Sequence, residues 1–477
     1  MARFWPVGLV LALLAGCSAE QPVSIRTPLP PTSSAMPQTS PAPGTESPSS
    51  ASEPRFRMPL ALIVRVTRPV TDVSIARARR VVADGGTRWA GIGQPGGRMR
   101  VLTAKADGAA AVLRAVRRSE DVLGIVPAQA VDPTVRVLTV GGRHPLRDPQ
   151  TYPLQTPSSQ RVPVVTTLAA VGDVMLGRRV GRRHADDPSA PLRPLSWRLA
   201  AADLTVGNFE STLSTDGSPT QGGDSFAASR RVLPGLRAAG FDLLSLANNH
   251  VGDYGARALR QTLDRFADGK IATVGAGRNA EQARRPVILE RSGVQVGFLA
   301  TDSIGETPAA TSSRPGTNRL DMPPRTGPLD RDDLRRITSD ISALARRVDT
   351  VIVLTHWGTQ YTHRPEPSQR TAARAFAKAG ADLVIGGHPH WVQGWETAGD
   401  AIVVHSLGNF VFDMDFQTKT REGIFLEVVL WGGKVKAVEA VPYVIDADFT
   451  PRLVSGKRAR AILADVWGTS HGPFAVP

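Results

Sequence analysis

The chain has 477 residues, 41% of them hydrophobic, a formal charge of +14 and a single cysteine, Cys17. That length allows two or three domains with sizeable apolar cores, and a lone cysteine excludes both a disulfide framework and a thiolate metal site. The positive charge comes from scattered arginines rather than one basic run, so a solvated basic surface accounts for it as well as an anionic partner does.

At the start, Arg3 precedes an apolar run from Trp5 through Leu14 that is too short for a spanning helix and has the layout of a signal peptide. It ends in Leu14-Ala15-Gly16-Cys17, which looks like a bacterial lipobox. Residues 1–17 are therefore expected to be a lipoprotein signal with Cys17 as the lipidated residue, the alternative being an ordinary signal peptide with an incidental cysteine. The chain is expected at the cell membrane, lipid-anchored on its extracytoplasmic face. There, anionic lipids or wall polymers can meet a basic surface, and no nucleic-acid partner is expected. Residues 18–56 are rich in Pro, Ser and Thr, with few apolar side chains to offset ordering entropy, and are expected to form a disordered tether.

Residues 57–155 alternate between strand and helix patterns. Strands are expected at 60–66, 101–103 and 122–127, and helices at 74–82 and 109–118, which makes a small α/β domain. Its segments Asp84-Gly85-Gly86-Thr87 and Leu123-Gly124-Ile125-Val126-Pro127 weakly resemble one lobe of phosphate-type periplasmic binding proteins. A single lobe cannot form an interlobe cleft, so a scaffolding role is expected.

Residues 163–445 carry the chemistry. Apolar strands are expected at 164–171, 204–206, 243–246, 294–300, 351–354, 383–385 and 402–406, with helices at 193–201, 232–239, 255–266 and 368–379 between them. Polar groups follow the strands in turn: Gly172-Asp173, Asn208 with Glu210, Asn248-Asn249-His250, His356, Gly386-Gly387-His388-Pro389-His390, and Ser406 with Asn409. In α/β sheets ligand sites collect at the carboxyl ends of strands. Imidazoles, carboxylates and amides without thiolates form the ligand inventory of a metal-dependent hydrolase rather than of a structural zinc site. His184 and His363 stand alone and read as satisfied structural residues. Residues 446–477 form a C-terminal tail with one helix, at 456–466, and no motif.

Five of these motifs, in this order, are similar to the capsule-biosynthesis CapA family, also called the poly-γ-glutamate synthesis PgsA type. They are Gly172-Asp173-Val174-Met175-Leu176-Gly177-Arg178, Leu246-Ala247-Asn248-Asn249-His250 with Asp253, His356-Trp357-Gly358, Gly386-Gly387-His388-Pro389-His390, and Ser406-Leu407-Gly408-Asn409-Phe410. The family in turn resembles calcineurin-like metallophosphoesterases. That resemblance implies an α/β fold, a four-layered α/β sandwich of metallophosphoesterase type, with a divalent metal site, expected to hold two ions of Mn, Zn or Fe. Met175 stands where the phosphoesterases have a histidine, and Asn208-Phe209-Glu210 stands where they have a Gly-Asp pair. Both departures are shared with the capsule family.

A two-metal site needs one bridging carboxylate among mostly neutral ligands. Glu210 is the expected bridge. Asp173, Asn249, His356, His388 and His390 are the other expected ligands. His250 is expected to turn away from the metals and act as a general acid. Arg178 is expected to pair bidentately with an anionic substrate group, and Asn248, Ser406 and Asn409 to contact substrate or water. By the resemblance, the substrate is an anionic cell-surface polymer such as poly-γ-glutamate, and a membrane synthase or export complex is a candidate partner. Two alternatives remain open: a metallophosphoesterase acting on envelope phosphoesters, and a non-catalytic polymer-binding assembly subunit.

Overall fold

Strand Thr350–His356 shows how the core is organised. Its even residues Ile352 and Leu354 enter one apolar cluster, and its odd residues Val351 and Val353 enter another. A strand buried on both faces reads as a continuous apolar run, because successive side chains point to opposite faces. Strand Val165–Val174 behaves the same way. Leu168 and Ala170 lie in the cluster shared with Ile352, and Ala169 and Val171 lie in a separate one. This computed structural model describes residues 56–70 and 72–476, so the expected signal peptide, Cys17 and nearly all of the expected tether lie outside the described residues.

Two sheets face each other across the shared cluster. The first runs, in spatial order, Pro451–Leu453, Lys434–Ile445, Glu422–Trp431, Val165–Val174, Leu204–Phe209, Leu243–Ser245 and Ala272–Val274, and Asn409–Val411 also pairs with Val165–Val174. The second runs Val287–Arg291, Val294–Asp302, Thr350–His356, Leu383–Gly387, Ala401–Val404 and Trp395–Ala398. Helices Arg193–Leu199, Leu233–Ala238 and Gly255–Asp268 cover the outer face of the first sheet through Leu195, Leu236, Leu259 and Phe266. Helices Arg331–Ala345 and Pro367–Lys378 cover the outer face of the second through Ile337, Ile341 and Phe376. The order helix, sheet, sheet, helix is a four-layered α/β sandwich.

Strand Val165–Val174 extends beyond its expected end, so that Asp173 lies within it and pairs with Asn208 on one side and Asn409 on the other. Helix Arg331–Ala345 was not anticipated. Asp330 caps it by accepting from the N–H groups of Asp332 and Asp333, and Ile337, Ile341 and Leu344 form its buried stripe. The antiparallel hairpin of Glu422–Trp431 and Lys434–Ile445 was not anticipated either. The expected tail is packed: helix Gly456–Trp467 delivers Ile462, Val466 and Trp467 to the intersheet core, where Trp467 meets Trp395 edge to face at 5.2 Å.

The N-terminal strands form a third sheet, in which Phe56–Arg65 pairs with Val122–Pro127, Val135–Val137 and Gln155–Ser158, and Arg100–Thr103 forms the edge. One of its two apolar clusters is completed by Val429, Trp431 and Ala437 of the C-terminal hairpin. Among the described residues no helix is long and apolar enough to cross a membrane.

Candidate metal centre

Adjacent parallel strands bring their carboxyl ends together, and the polar residues there converge from both sheets. Asp173, Asn208 and Glu210 come from the first sheet, and His356 and the turn after Leu383–Gly387 come from the second. The turn needs a residue without a side chain at its root, since a Cβ on Gly387 would lie 2.6 Å from Asp173 Oδ1. Among the described residues, four of the seven non-glycine residues with positive φ stand here: Arg178, Tyr361, His388 and His390. That clustering puts backbone strain at the site rather than scattering it over turns.

The cluster is dry. Asp173 and Glu210 are 0% exposed and His356, His388 and His390 no more than 2%. Donor atoms of Asp173, Glu210 and His356 all lie within 4.8 Å of one another. His356 Nε2 is 3.7 Å from Glu210 Oε1 and its Nδ1 is 4.0 Å from Asp173 Oδ1. Asn249 Oδ1 lies 2.9 Å from His356 Nε2. His390 Nδ1 is 3.8 Å from Asp173 Oδ2 and 2.8 Å from Asn409 Oδ1. The His356 and His388 rings stand 5.0 Å apart. The structure thus brings together Asp173, Glu210, Asn249, His356, His388 and His390.

Burial drives the electrostatics. Asp173 is pushed up to about 6 by desolvation, against hydrogen bonds donated by Asn208 Nδ2 and His388 N–H. Glu210 is held well above the usual carboxylate range by burial first, then by the charges of Asp173 and Asp253. His356 and His388 are held well below the usual imidazole value by burial and by neighbouring imidazoles, and burial lowers His390 to about 4. The imidazoles are therefore neutral at pH 7, the state in which they ligate metals.

Both carboxylate oxygens of Glu210 and both ring nitrogens of His388 are buried with no hydrogen-bond partner among the described residues, the Asp173 carboxyl beside Glu210 being a fellow acid. Buried polar atoms are otherwise almost always paired. A divalent cation would engage the Glu210 carboxylate and one ring nitrogen of His388, and it would offset the burial penalty on two neighbouring carboxylates. A carboxylate, imidazole and amide donor set suits such an ion.

Around this core the residues do partly different work from that expected. His250 turns toward Glu210 rather than away, with Nε2 3.8 Å from Oε1. Its Nδ1 pairs with Asp253 at 2.8 Å, and its ring stacks on Phe226 at 3.6 Å. Arg178 already has a bidentate partner in Asp413, reaches Asp224 at 3.3 Å and lies over the Phe226 ring. Asn248 is committed inside the protein: its amide donates to Asn208 Oδ1 and Phe209 O, and its oxygen accepts from His250 N and Val251 N. Asn409 positions His390 and donates to Thr420 O. The Oγ of Ser406 accepts from Gly408 N, a local turn contact. These three residues hold the scaffold, and their hydrogen bonds differ from the expected substrate contacts. Asp253 and Asn208 were quoted in the motifs without a role; their positions beside a histidine and at a strand end were the available signals.

Residues 167–414 match the family described as bacterial capsule synthesis protein PGA_cap. The chain is 34% identical over 284 residues to the capsule biosynthesis protein CapA of Bacillus anthracis, a match covering 58% of this chain and 66% of that protein. It is 31% identical over 286 residues to the PGA biosynthesis protein CapA of Bacillus subtilis, covering 58% and 71%. About a third of each relative's length thus lies outside the match. The solved NAD nucleotidase of Haemophilus influenzae aligns over 64% of this chain and 56% of its own at 11% identity, with a TM-score of 0.36. The matched span contains every residue of the buried cluster described above, and by that match the chain belongs to the bacterial capsule synthesis protein PGA_cap family.

Proposed function

We propose that this protein is a membrane-anchored capsule or poly-γ-glutamate biosynthesis factor whose metal centre acts on an anionic cell-surface polymer. The observation that carries this reading is the buried Glu210 carboxylate and His388 imidazole, which have no hydrogen-bond partner among the described residues, in a chain of the capsule family. Asp173, Glu210, Asn249, His356, His388 and His390 are the residues that would hold one or two divalent ions, and such ions supply Lewis-acid polarisation of an anionic substrate group. The anchor is the proposed lipid on Cys17, and a membrane synthase or export complex is the proposed partner.

The surrounding residues supply proton transfer and orientation. Asp253 fixes the His250 ring through Nδ1, which leaves Nε2 facing the cluster, where the imidazolium form would give a proton to a leaving group. Gln221 Nε2 and the Phe226 N–H in turn hold Asp253, so the dyad is pre-oriented. A pure binding subunit has no need of such a dyad, and this favours catalysis over passive assembly.

The test is the metal content of the purified full chain by mass spectrometry, next to a His388→Ala/His390→Ala variant and a His250→Ala variant. Stoichiometric metal in the wild type and in His250→Ala, but not in the double variant, is the expected result. Polymer or phosphoester turnover should then fall about 10²-fold or more in His250→Ala. A wild type that takes up no metal after reloading with manganese or zinc sinks the metal centre. Equal turnover in His250→Ala sinks the acid assignment alone.

A further inference from the structure

Tyr361 is a residue whose position the scaffold does not explain. It follows the motif His356-Trp357-Gly358 and sits at φ +61°, a conformation that a bulky side chain rarely adopts. Its N–H donates to Pro389 O at 2.9 Å, which ties it to the turn carrying His388 and His390. Its ring lies on the His390 imidazole, 6.1 Å between centroids and 29° between planes. On its far side it meets Phe416 edge to face at 5.6 Å, and Phe416 is 60% exposed. Tyr361 is therefore partly exposed, between solvent and a cluster that is almost completely buried.

Stacking alone requires only a phenyl ring. Tyr361 is half-buried, its hydroxyl makes no hydrogen bond among the described residues, and burial first, then the charges of Asp224 and Glu210, push the phenol up against the opposing charge of Arg178. A strained backbone held in place to carry an uncommitted donor beside a metal-type cluster is the pattern of a ligand contact rather than of packing.

We propose that Tyr361 is a substrate-contacting residue whose phenol hydroxyl donates a hydrogen bond to an oxyanion, carboxylate or phosphate, bound on the solvent side of Tyr361 beside the turn that carries His388 and His390. The proposal rests on the reading that this centre handles an anionic substrate. Phe416 and Tyr361 then form the wall along which the ligand enters.

The experiment uses the full chain loaded with manganese and titrates it calorimetrically with inorganic phosphate and, separately, with a γ-linked glutamate oligomer. Wild type is compared with Tyr361→Phe, which keeps the stacking ring, and with Tyr361→Leu, which loses both ring and hydroxyl. Tyr361→Phe should keep wild-type metal content and melting temperature and bind at least one probe about tenfold more weakly, as expected for one hydrogen bond to a charged group. Tyr361→Leu should bind more weakly still. The probe that responds tells carboxylate from phosphate. Unchanged affinity in Tyr361→Phe for every probe that the wild type binds overturns the proposal. So does loss of metal in that variant, because the hydroxyl would then serve the centre itself. A metal-loaded wild type that binds neither probe overturns the anionic-substrate reading and this contact with it.

Discussion

A carboxylate buried without a partner destabilises a folded chain unless it takes up a proton or meets a cation. Glu210 is such a group, held well above the usual carboxylate range by burial and by Asp173. Because its folded value is raised, the folded state holds a proton that the unfolded state has released once pH exceeds the unfolded value. Its contribution to stability is therefore greatest below that value and declines as pH rises toward the folded one. Glu210→Gln removes this penalty together with a ligand. In chelator, the variant should melt close to wild type near pH 4 and above it at pH 7, by an amount worth about 1–3 kcal/mol. In the presence of metal the order should reverse. Thermal melts at the two pH values, with and without chelator, check both halves. A variant less stable than wild type in chelator at pH 7 would remove Glu210 from the list of strained groups. Single residues stood out in the sequence where they closed an apolar run, as Asp173, His356 and His388 do. Tyr361 was not readable that way, because its signal is a backbone angle that no spacing reveals.

Helix Pro367–Lys378 and strand Trp395–Ala398 are tied together behind the centre by one buried network. Arg370 reaches Glu396 through Nε at 3.0 Å and Nη2 at 2.8 Å, and His405 Nε2 adds a bond of 3.0 Å to the same carboxylate. The carbonyl oxygen of His405 accepts from the Trp357 indole, which links the network to the residue after His356. Although burial opposes it, these partners hold Glu396 down at about 2. The sign is opposite to that of Glu210: the network's stability is complete above the unfolded carboxylate value and is lost as pH falls from there toward 2. Because Arg370 is partly exposed and Glu396 keeps His405, Arg370→Ala should lower stability at pH 7 by about 1–2 kcal/mol, and should flatten the acid limb of a stability-versus-pH curve. An acid limb as steep in the variant as in wild type would assign that sensitivity elsewhere. At this scale the sequence was readable where an element is apolar and bounded by a motif. Helix Arg331–Ala345 and the hairpin Glu422–Trp431 with Lys434–Ile445 carry no polar motif at their ends to set them apart in the sequence. Their apolar residues at spacings of four and two were present all the same, as in Ile337 with Ile341 and Val428 with Leu430.

The N-terminal sheet and the sandwich are joined by that hairpin. Val428 and Leu430 face the intersheet core, while Val429 and Trp431 face the N-terminal cluster, and the Trp431 indole donates to Leu146 O at 2.7 Å. Glu427 is held by Arg147 from one side and Arg198 from the other. A reading by composition separates residues 57–155 because the connection is made by strands almost three hundred positions later, and local pattern carries no information about such pairs. With a shared core, unfolding should be one cooperative transition over residues 56–476 rather than two. Trp431→Ala should lower that transition by about 3–5 kcal/mol without splitting it. Calorimetry checks this, and two resolved peaks in the wild type would show independent units.

Strand Phe56–Arg65 has one further consequence. Phe56 through Pro59 pair with Ser158 through Gln155, and Leu60 through Arg65 pair with Val122–Pro127 and Val135–Val137. A mechanical load entering the chain at Phe56 is thus shared among three antiparallel partners before it can reach the sandwich. If the protein is tethered at Cys17, tugging by a polymer in transit strains the N-terminal sheet first.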